Sequence, residues 1–318
     1  MNWFVSAAFV MTWSSGFIGA KLGSESASAV TVLMWRFVPL AIVLLAAISL
    51  LRASREHLTS RVACREVVIG LLSQSGYLLT VYYAIQLGVS SGTTALIDAA
   101  QPLVAGALAG PILGVCVSRR QWLGLVIGAL GVLVVTHGDA MAGAGTPRWA
   151  YAVPFLGMLT LVAATFLDRR STTSIKPLTA LTIHCTSSAV LFSLIAVATG
   201  DVVPPSALSF WISTVWLIVF STFGGYGFYW LVLRRDGVTR INSLMFLMAP
   251  TTIVWGAVMF GEPFGWQTVI GLAICVVAVV TVRAPAQDPR RAGTAYSVIT
   301  RPQASRRPGS GTCAVRRT

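Results

Sequence analysis

Charge is what this sequence has least of. Only 10% of its 318 residues are Asp, Glu, Lys or Arg, against roughly 25% in soluble domains. With 55% of the chain hydrophobic, a globular body in water could not clothe its surface with polar groups, so the apolar surplus must face lipid. Acids are scarcest: ten Asp and Glu residues, scattered along the chain, which argues against the clustered carboxylates of a metal or proton-transfer enzyme. The five cysteines (Cys64, Cys116, Cys185, Cys275, Cys313) are odd in number and show no CxxC spacing, so neither a disulfide framework nor a zinc site is expected. No phosphate-binding loop of the Walker type is present, which argues against ATP hydrolysis as a driving force. No cofactor is expected. The apolar start of the chain lacks a basic leader, so it reads as a retained helix rather than a cleaved signal peptide.

What the sequence does have is length in apolar runs. A helix needs about 20 apolar residues to cross a bilayer. Ten stretches qualify: 3–20, 29–51, 67–87, 93–117, 121–137, 149–167, 178–198, 210–233, 241–260 and 264–282. Hydrocarbon offers no partner to loose backbone groups, so these must be helices. The basic residues then sort by side. With the N-terminus in the cytoplasm, the connections 52–66, 118–120, 168–177 and 234–240 hold Arg52, Arg55, Arg61, Arg65, Arg119, Arg120, Arg169, Arg170, Lys176, Arg234, Arg235 and Arg240. The opposite connections hold only Lys21 and Arg148. The positive-inside rule therefore predicts cytoplasmic termini.

A net charge of +13 would ordinarily raise nucleic acid as a partner. Here the basic residues mark one side of a membrane, with no aromatic interleaving, and no nucleic-acid partner is expected. The tail, 284–318, is rich in Arg and Pro without apolar periodicity, and reads as a disordered segment that reinforces topology or lies against anionic head groups. Arg outnumbers Lys by 21 to 2, a bias of GC-rich bacterial genomes that points to a plasma (inner) membrane.

The ten spans divide into two similar halves. Gly114 aligns with Gly261, Gly124 with Gly271, Leu125 with Leu272 and Ile127 with Ile274, all at one offset, and Pro102 meets Pro250 with a single gap. Five spans per half is an odd number, so the halves must insert in opposite orientations, and equivalent loops should carry opposite charge bias. They do: 88–92 has no basic residue where 234–240 has three, and Arg119 and Arg120 face a counterpart, 261–266, without any. The expected fold is an all-α membrane protein of ten transmembrane helices in an inverted 5+5 repeat, with units at 1–140 and 148–283. Inverted repeats of this kind build secondary transporters, whose sites lie near the midplane at the repeat interface.

At these residues the sequence resembles the EamA family of the drug/metabolite transporter superfamily. The likeness covers roughly 3–282: WSSGFIGAKLG (13–23) is similar to its first-helix signature, MWRF (34–37) to its second-helix Arg-Phe, and GEPFGWQTVIGL (261–272) to its repeat-ending Gly-Glu and final helix. The stretches 95–102 and 243–250 look like its paired proline-ended helices. The resemblance implies alternating access and movement, usually export, of metabolites, amino acids or drug-like molecules. It does not reach everywhere. The first repeat's Gly-Glu is Gly114-Val115 here, and 3–20 contains no acid, so a first-helix glutamate coupling site is not carried over. A membrane-embedded enzyme acting on a lipid or prenyl substrate and a phosphosugar carrier are the competing readings; the first lacks clustered acids, the second a set of basic residues in the spans.

Ionisable groups inside spans default to functional candidates, and three are expected: Arg36, Asp98 and His184. Arg36 and Asp98 lie at equal depth, roughly 10 Å below the outer surface, so either a substrate- or proton-responsive pair or a structural one is possible. Asp98 precedes Pro102 by one turn, where the helix should be irregular. His184 matches Arg36 across the repeat and is either a titrating group or a packed one. Glu262 is expected to be a turn residue, and the His137–Asp139 run to have no partner. Trp13, Phe17, Tyr77, Tyr226 and Tyr229 are candidate path-lining aromatics, and Gln74, Tyr77, Val81 and Ala84 share one helical face. The partners implied are a small-molecule substrate, the lipid bilayer and protons as coupling ion. Gly106, Gly110 and Gly114, with Gly124 and Gly128, fit close packing within a monomer or across a homodimer.

Overall fold

The computed structural model describes residues 3–50, 59–113, 119–142, 145–170 and 175–283. The tail, Arg52, Arg55, Gly114 and Val115 lie outside them. Among the described residues every regular element is helical. The chain runs α1 (Trp3–Ser24), α2 (Ala29–Leu50), α3 (Ser60–Gly70), a π-helical segment (Leu71–Gly76), α4 (Tyr77–Gln86), α5 (Ser91–Ala99), α6 (Gln101–Leu113) and α7 (Arg119–Ala142). There follow α8 (Val153–Arg169), α9 (Pro177–Thr199), α10 (Leu208–Trp216), a second π-helical segment (Leu217–Gly224), α11 (Gly225–Phe260) and α12 (Trp266–Arg283). Among the described residues seven stretches, rather than the ten expected, are long and apolar enough to cross a membrane, and Leu244–Phe260 and Trp266–Ala278 are shorter apolar helices.

Three of the boundaries that differ from the sequence expectation have a local reason or consequence. Helix α3 begins at Ser60, capped by the Thr59 hydroxyl on the Val62 amide, so Arg61, Arg65 and Glu66 stand within a helix rather than in a loop. The fourth stretch breaks at Ala100, two residues before Pro102, into α5 and α6; this is the irregularity the proline predicts, since it can donate no amide to the turn before it. The expected loop 234–240 is instead helical, inside α11. A straight helix would hold Tyr229 and Met248 about 28 Å apart. Yet Tyr229 stacks 6.1 Å from Trp13, while the Met248 carbonyl accepts from neighbouring Ser14 at 3.3 Å. The Trp216 and Trp255 rings also meet, at 6.0 Å. The chain therefore reverses inside α11, and its two arms lie side by side against α1.

Small residues let these helices approach, which matters in lipid, where packing rather than water exclusion holds helices together. Gly16, Gly19 and Gly23 form a stripe on α1. A Cβ at Gly16 would lie 2.7 Å from the Ser221 hydroxyl, one at Gly19 2.6 Å from Leu217, and one at Gly23 2.7 Å from the Ser213 hydroxyl. Gly131 on α7 meets Gly271 on α12 as closely, and Gly128 packs against Leu103 and Ala278. Gly106 faces open space. Outward, Leu194, Val197 and Val258 are 64%, 71% and 80% exposed, which marks these faces of α9 and α11 as lipid-facing.

Candidate functional site

A tyrosine follows each of the two π-helical segments: Tyr77 one residue after the first, Tyr226 two after the second. A π turn releases main-chain carbonyls and widens the helix, which is why such turns gather at functional sites. The Thr222 hydroxyl uses the change directly, donating 3.0 Å to the Leu217 carbonyl five residues back.

Between the segments lies a cavity of about 130 Å³, walled by Trp13, Gly16 and Phe17 of α1 and by Arg36 and Phe37 of α2. Ser73, Gln74, Tyr77, Leu78 and Val81 complete one side; Leu161, Ser221, Thr222 and Tyr226 complete the other. Six expected residues thus meet in one place: Trp13, Phe17, Arg36, Gln74, Tyr77 and Tyr226. The shared face of Gln74, Tyr77 and Val81 does point inward, whereas Ala84 packs beside Val89, Ala150 and Tyr151.

Arg36 is 4% exposed. Its guanidinium donates to the Tyr82 hydroxyl at 2.6 Å, to Thr222 at 3.0 Å and to Ser221 at 3.3 Å, and its Nε has no partner. All its hydrogen-bond acceptors are neutral hydroxyls. A buried charge without a countercharge is costly, and the Phe37 ring, 5.3 Å from the guanidinium carbon, offsets part of that cost.

Asp98 does not pair with Arg36. Its Oδ2 accepts from the Tyr77 hydroxyl at 2.9 Å and its Oδ1 is buried without a partner. Depth placed the two residues at one level, but α2 packs mainly on α9, α4, α1 and α10, while α5 packs on α11, α8, α1 and α7. Asp98 therefore meets the cavity only through Tyr77. Gln74 donates to the Tyr226 hydroxyl at 3.0 Å and accepts from the Cys185 thiol at 3.6 Å. Tyr229 stands outside the wall, stacked on Trp13 and on Phe9 at 6.2 Å.

His184 lies elsewhere. Its Nε2 is 3.1 Å from Glu66 Oε2, and Glu66 Oε1 accepts from Arg65 at 2.8 Å. Glu66, 3% exposed, escaped the sequence reading because a charge run set the helix boundary behind it. Asp139 is not partnerless: it accepts from the Ser90 amide at 3.1 Å. Glu262 does more than turn the chain. It accepts from the Ser91 amide at 2.8 Å, the Ser91 hydroxyl at 2.7 Å and the Gly92 amide at 3.4 Å, so α12's loop clasps the start of α5. Ser221 and Thr222, which line the cavity and accept from Arg36, were also missed.

A bundle of apolar helices around a largely apolar cavity that holds one buried arginine is an arrangement a membrane carrier can use. The EamA-like transporter family profile matches residues 2–137 and 148–284. The chain belongs to that family, within the drug/metabolite transporter superfamily. The inner membrane transporter YedA of Escherichia coli K12 is 21% identical over 275 residues, covering 86% of this chain and 88% of YedA. The YedA proteins of E. coli O6:H1 and O157:H7 match to the same degree. A solved crystal structure shares the fold with a TM-score of 0.58 at 18% identity, over 88% of this chain and 95% of its own.

Proposed function

We propose that this protein is a secondary transporter of the plasma (inner) membrane that exports a small metabolite bearing a carboxylate, such as an amino acid, by alternating access. The observation that carries the reading is the buried Arg36 guanidinium, which lines the cavity and is held by three hydroxyls and the Phe37 ring, with no carboxylate bonded to it among the described residues. A volume of about 130 Å³ corresponds to roughly four waters and lies below the roughly 300–1,000 Å³ of drug-sized sites. That favours a small metabolite over a drug. Trp13, Phe17, Tyr77 and Tyr226 supply an apolar wall around the anionic end.

The ten-span inverted repeat belongs to the same proposal, with both termini in the cytoplasm. It is supported by the two π-helical segments at Leu71–Gly76 and Leu217–Gly224, by the reversal inside α11, and by the loop charges. Opposite insertion of the halves places one π segment in each, so that the cavity sits at their interface.

The test is reconstitution in liposomes with a pH-sensitive dye inside and radiolabelled amino acids outside, for wild type, Arg36→Gln and Asp98→Asn. Saturable counterflow that Arg36→Gln lowers by roughly 10–100-fold, the loss expected for one charge-assisted hydrogen bond, supports the reading. Counterflow that Arg36→Gln leaves intact sinks the assignment of the cavity. Loss of dye response in Asp98→Asn with solute flux retained makes Asp98 the coupling acid.

A further inference from the structure

Two opposite charges reach the cavity from different helices, and neither answers the other. Arg36 lines it and has no carboxylate bonded to it among the described residues. Asp98 stands behind Tyr77: its Oδ2 accepts from the Tyr77 hydroxyl at 2.9 Å, and its Oδ1 is buried without a partner. No basic side chain is paired with Asp98 among the described residues. A buried carboxylate left in this way is costly until something positive comes near it.

The chemistry of Tyr77 fixes what it can offer a solute. A carboxylate only accepts, so the single phenol hydrogen is committed to Asp98 and the lone pairs of the oxygen remain. Tyr77 lines the cavity and lies within electrostatic reach of Tyr82 and Tyr226. Towards the cavity it is therefore an acceptor, the opposite of Arg36, whose guanidinium can only donate. A group donating to it would sit about 2.9 Å from the phenol oxygen. That is within roughly 6 Å of the Asp98 carboxylate, where opposite charges act strongly on each other. Aromatic rings line the same space: Trp13, Phe17 and Tyr226, with the Trp13 and Tyr226 centroids 6.1 Å apart. Aromatic faces attract cations.

We propose that Tyr77, backed by Asp98, is an ammonium subsite, so that the cavity selects a zwitterion held between this acceptor pole and the Arg36 donor pole. The inference rests on the reading of the cavity as a solute site and narrows it, because a carboxylate alone is no longer enough. Counted as formal charges, Arg36 and Asp98 sum to zero. A solute with one charge of each sign keeps the buried region neutral, whereas a bare carboxylate or a bare amine leaves one pole unanswered. A carboxylate turned towards Tyr77 would also meet lone pairs instead of a donor.

The experiment measures equilibrium binding of the common L-amino acids, radiolabelled, to the full chain in nanodiscs. The tightest binder is then competed with its own analogues: the acid lacking the amino group, the α-hydroxy acid and the amine lacking the carboxylate. Binding of the parent that each analogue matches only at roughly tenfold or higher concentration supports the proposal, the loss expected for one charge-assisted hydrogen bond. The hydroxy acid keeps a donor without the charge, so it separates the ammonium from a simple hydrogen bond. In Asp98→Asn, which keeps an acceptor for Tyr77, and in Tyr77→Phe, affinity for the parent should fall by roughly 10–100-fold, with affinity for the acid lacking the amino group unchanged. An acid or hydroxy acid that competes as well as the parent, an Asp98→Asn protein with full affinity, or no amino acid bound at all overturns it. The analogue series uses wild-type protein, so a folding defect in either variant does not shield the proposal. Binding of this selectivity without counterflow in liposomes keeps the subsite and removes the transport reading. Counterflow of a carboxylate that lacks an ammonium group, abolished by Arg36→Gln, does the reverse.

Discussion

Arg36 and Glu262 are both charged and held by hydroxyls or amides, yet they ask different things of the fold. Arg36 is held by hydroxyl acceptors and the Phe37 ring, none of which cancels its charge. Glu262 is fully engaged: three donors at the start of α5 converge on it, and the helix dipole favours a carboxylate there. Replacing Glu262 by Ala should therefore act on stability. Loss of a helix cap costs about 1–2 kcal/mol, and thermal unfolding in detergent should show a midpoint several degrees lower. Glu262→Gln, which keeps one acceptor, should lie between. An unchanged midpoint for the alanine variant would remove the clasp from the account.

At the scale of elements, glycine decides where helices touch. On α7, a side chain at Gly131 would meet the Gly271 carbonyl at 2.8 Å and the Cys275 sulfur at 2.6 Å. Backbone cannot yield as a flexible side chain can, so Gly131→Leu should destabilise by the roughly 1–3 kcal/mol of overpacking, or more. Gly106 on α6 is the control, because nothing lies within 4 Å of a Cβ there. Gly106→Ala should be neutral or stabilising, as helix propensity gains up to about 1 kcal/mol. Fluorescence-detected size-exclusion after graded heating compares the two directly; equal losses would mean that α7 and α12 are not in this contact.

For the whole molecule the prediction is one of sidedness. The start of α3 should face the cytoplasm, and the turn after α9 the outside. Cys64 is exposed on α3, and Val203, 80% exposed, lies in the connection after α9. A membrane-impermeant maleimide should label a Val203→Cys variant in intact cells and leave Cys64 untouched until the membrane is opened. Labelling in the reverse order would invert the orientation argued from the arginines.

What could be read from the chain alone was whatever depends on depth. Hydropathy along a helix and the side on which arginines fall are set by the bilayer as solvent, one segment at a time. The helical membrane class and the residues at mid-depth were therefore legible, and Trp13, Phe17, Arg36, Gln74, Tyr77 and Tyr226 were found on those grounds and do line one cavity. Azimuth was not legible. Which helix stands beside which, and so whether Arg36 meets Asp98 or Ser221 and Thr222, depends on packing between segments distant in sequence, and only the tertiary structure decided it. The same holds for Glu66 and Glu262, whose partners on α9 and α5 turn an apparent loop charge and an apparent turn residue into contacts between helices.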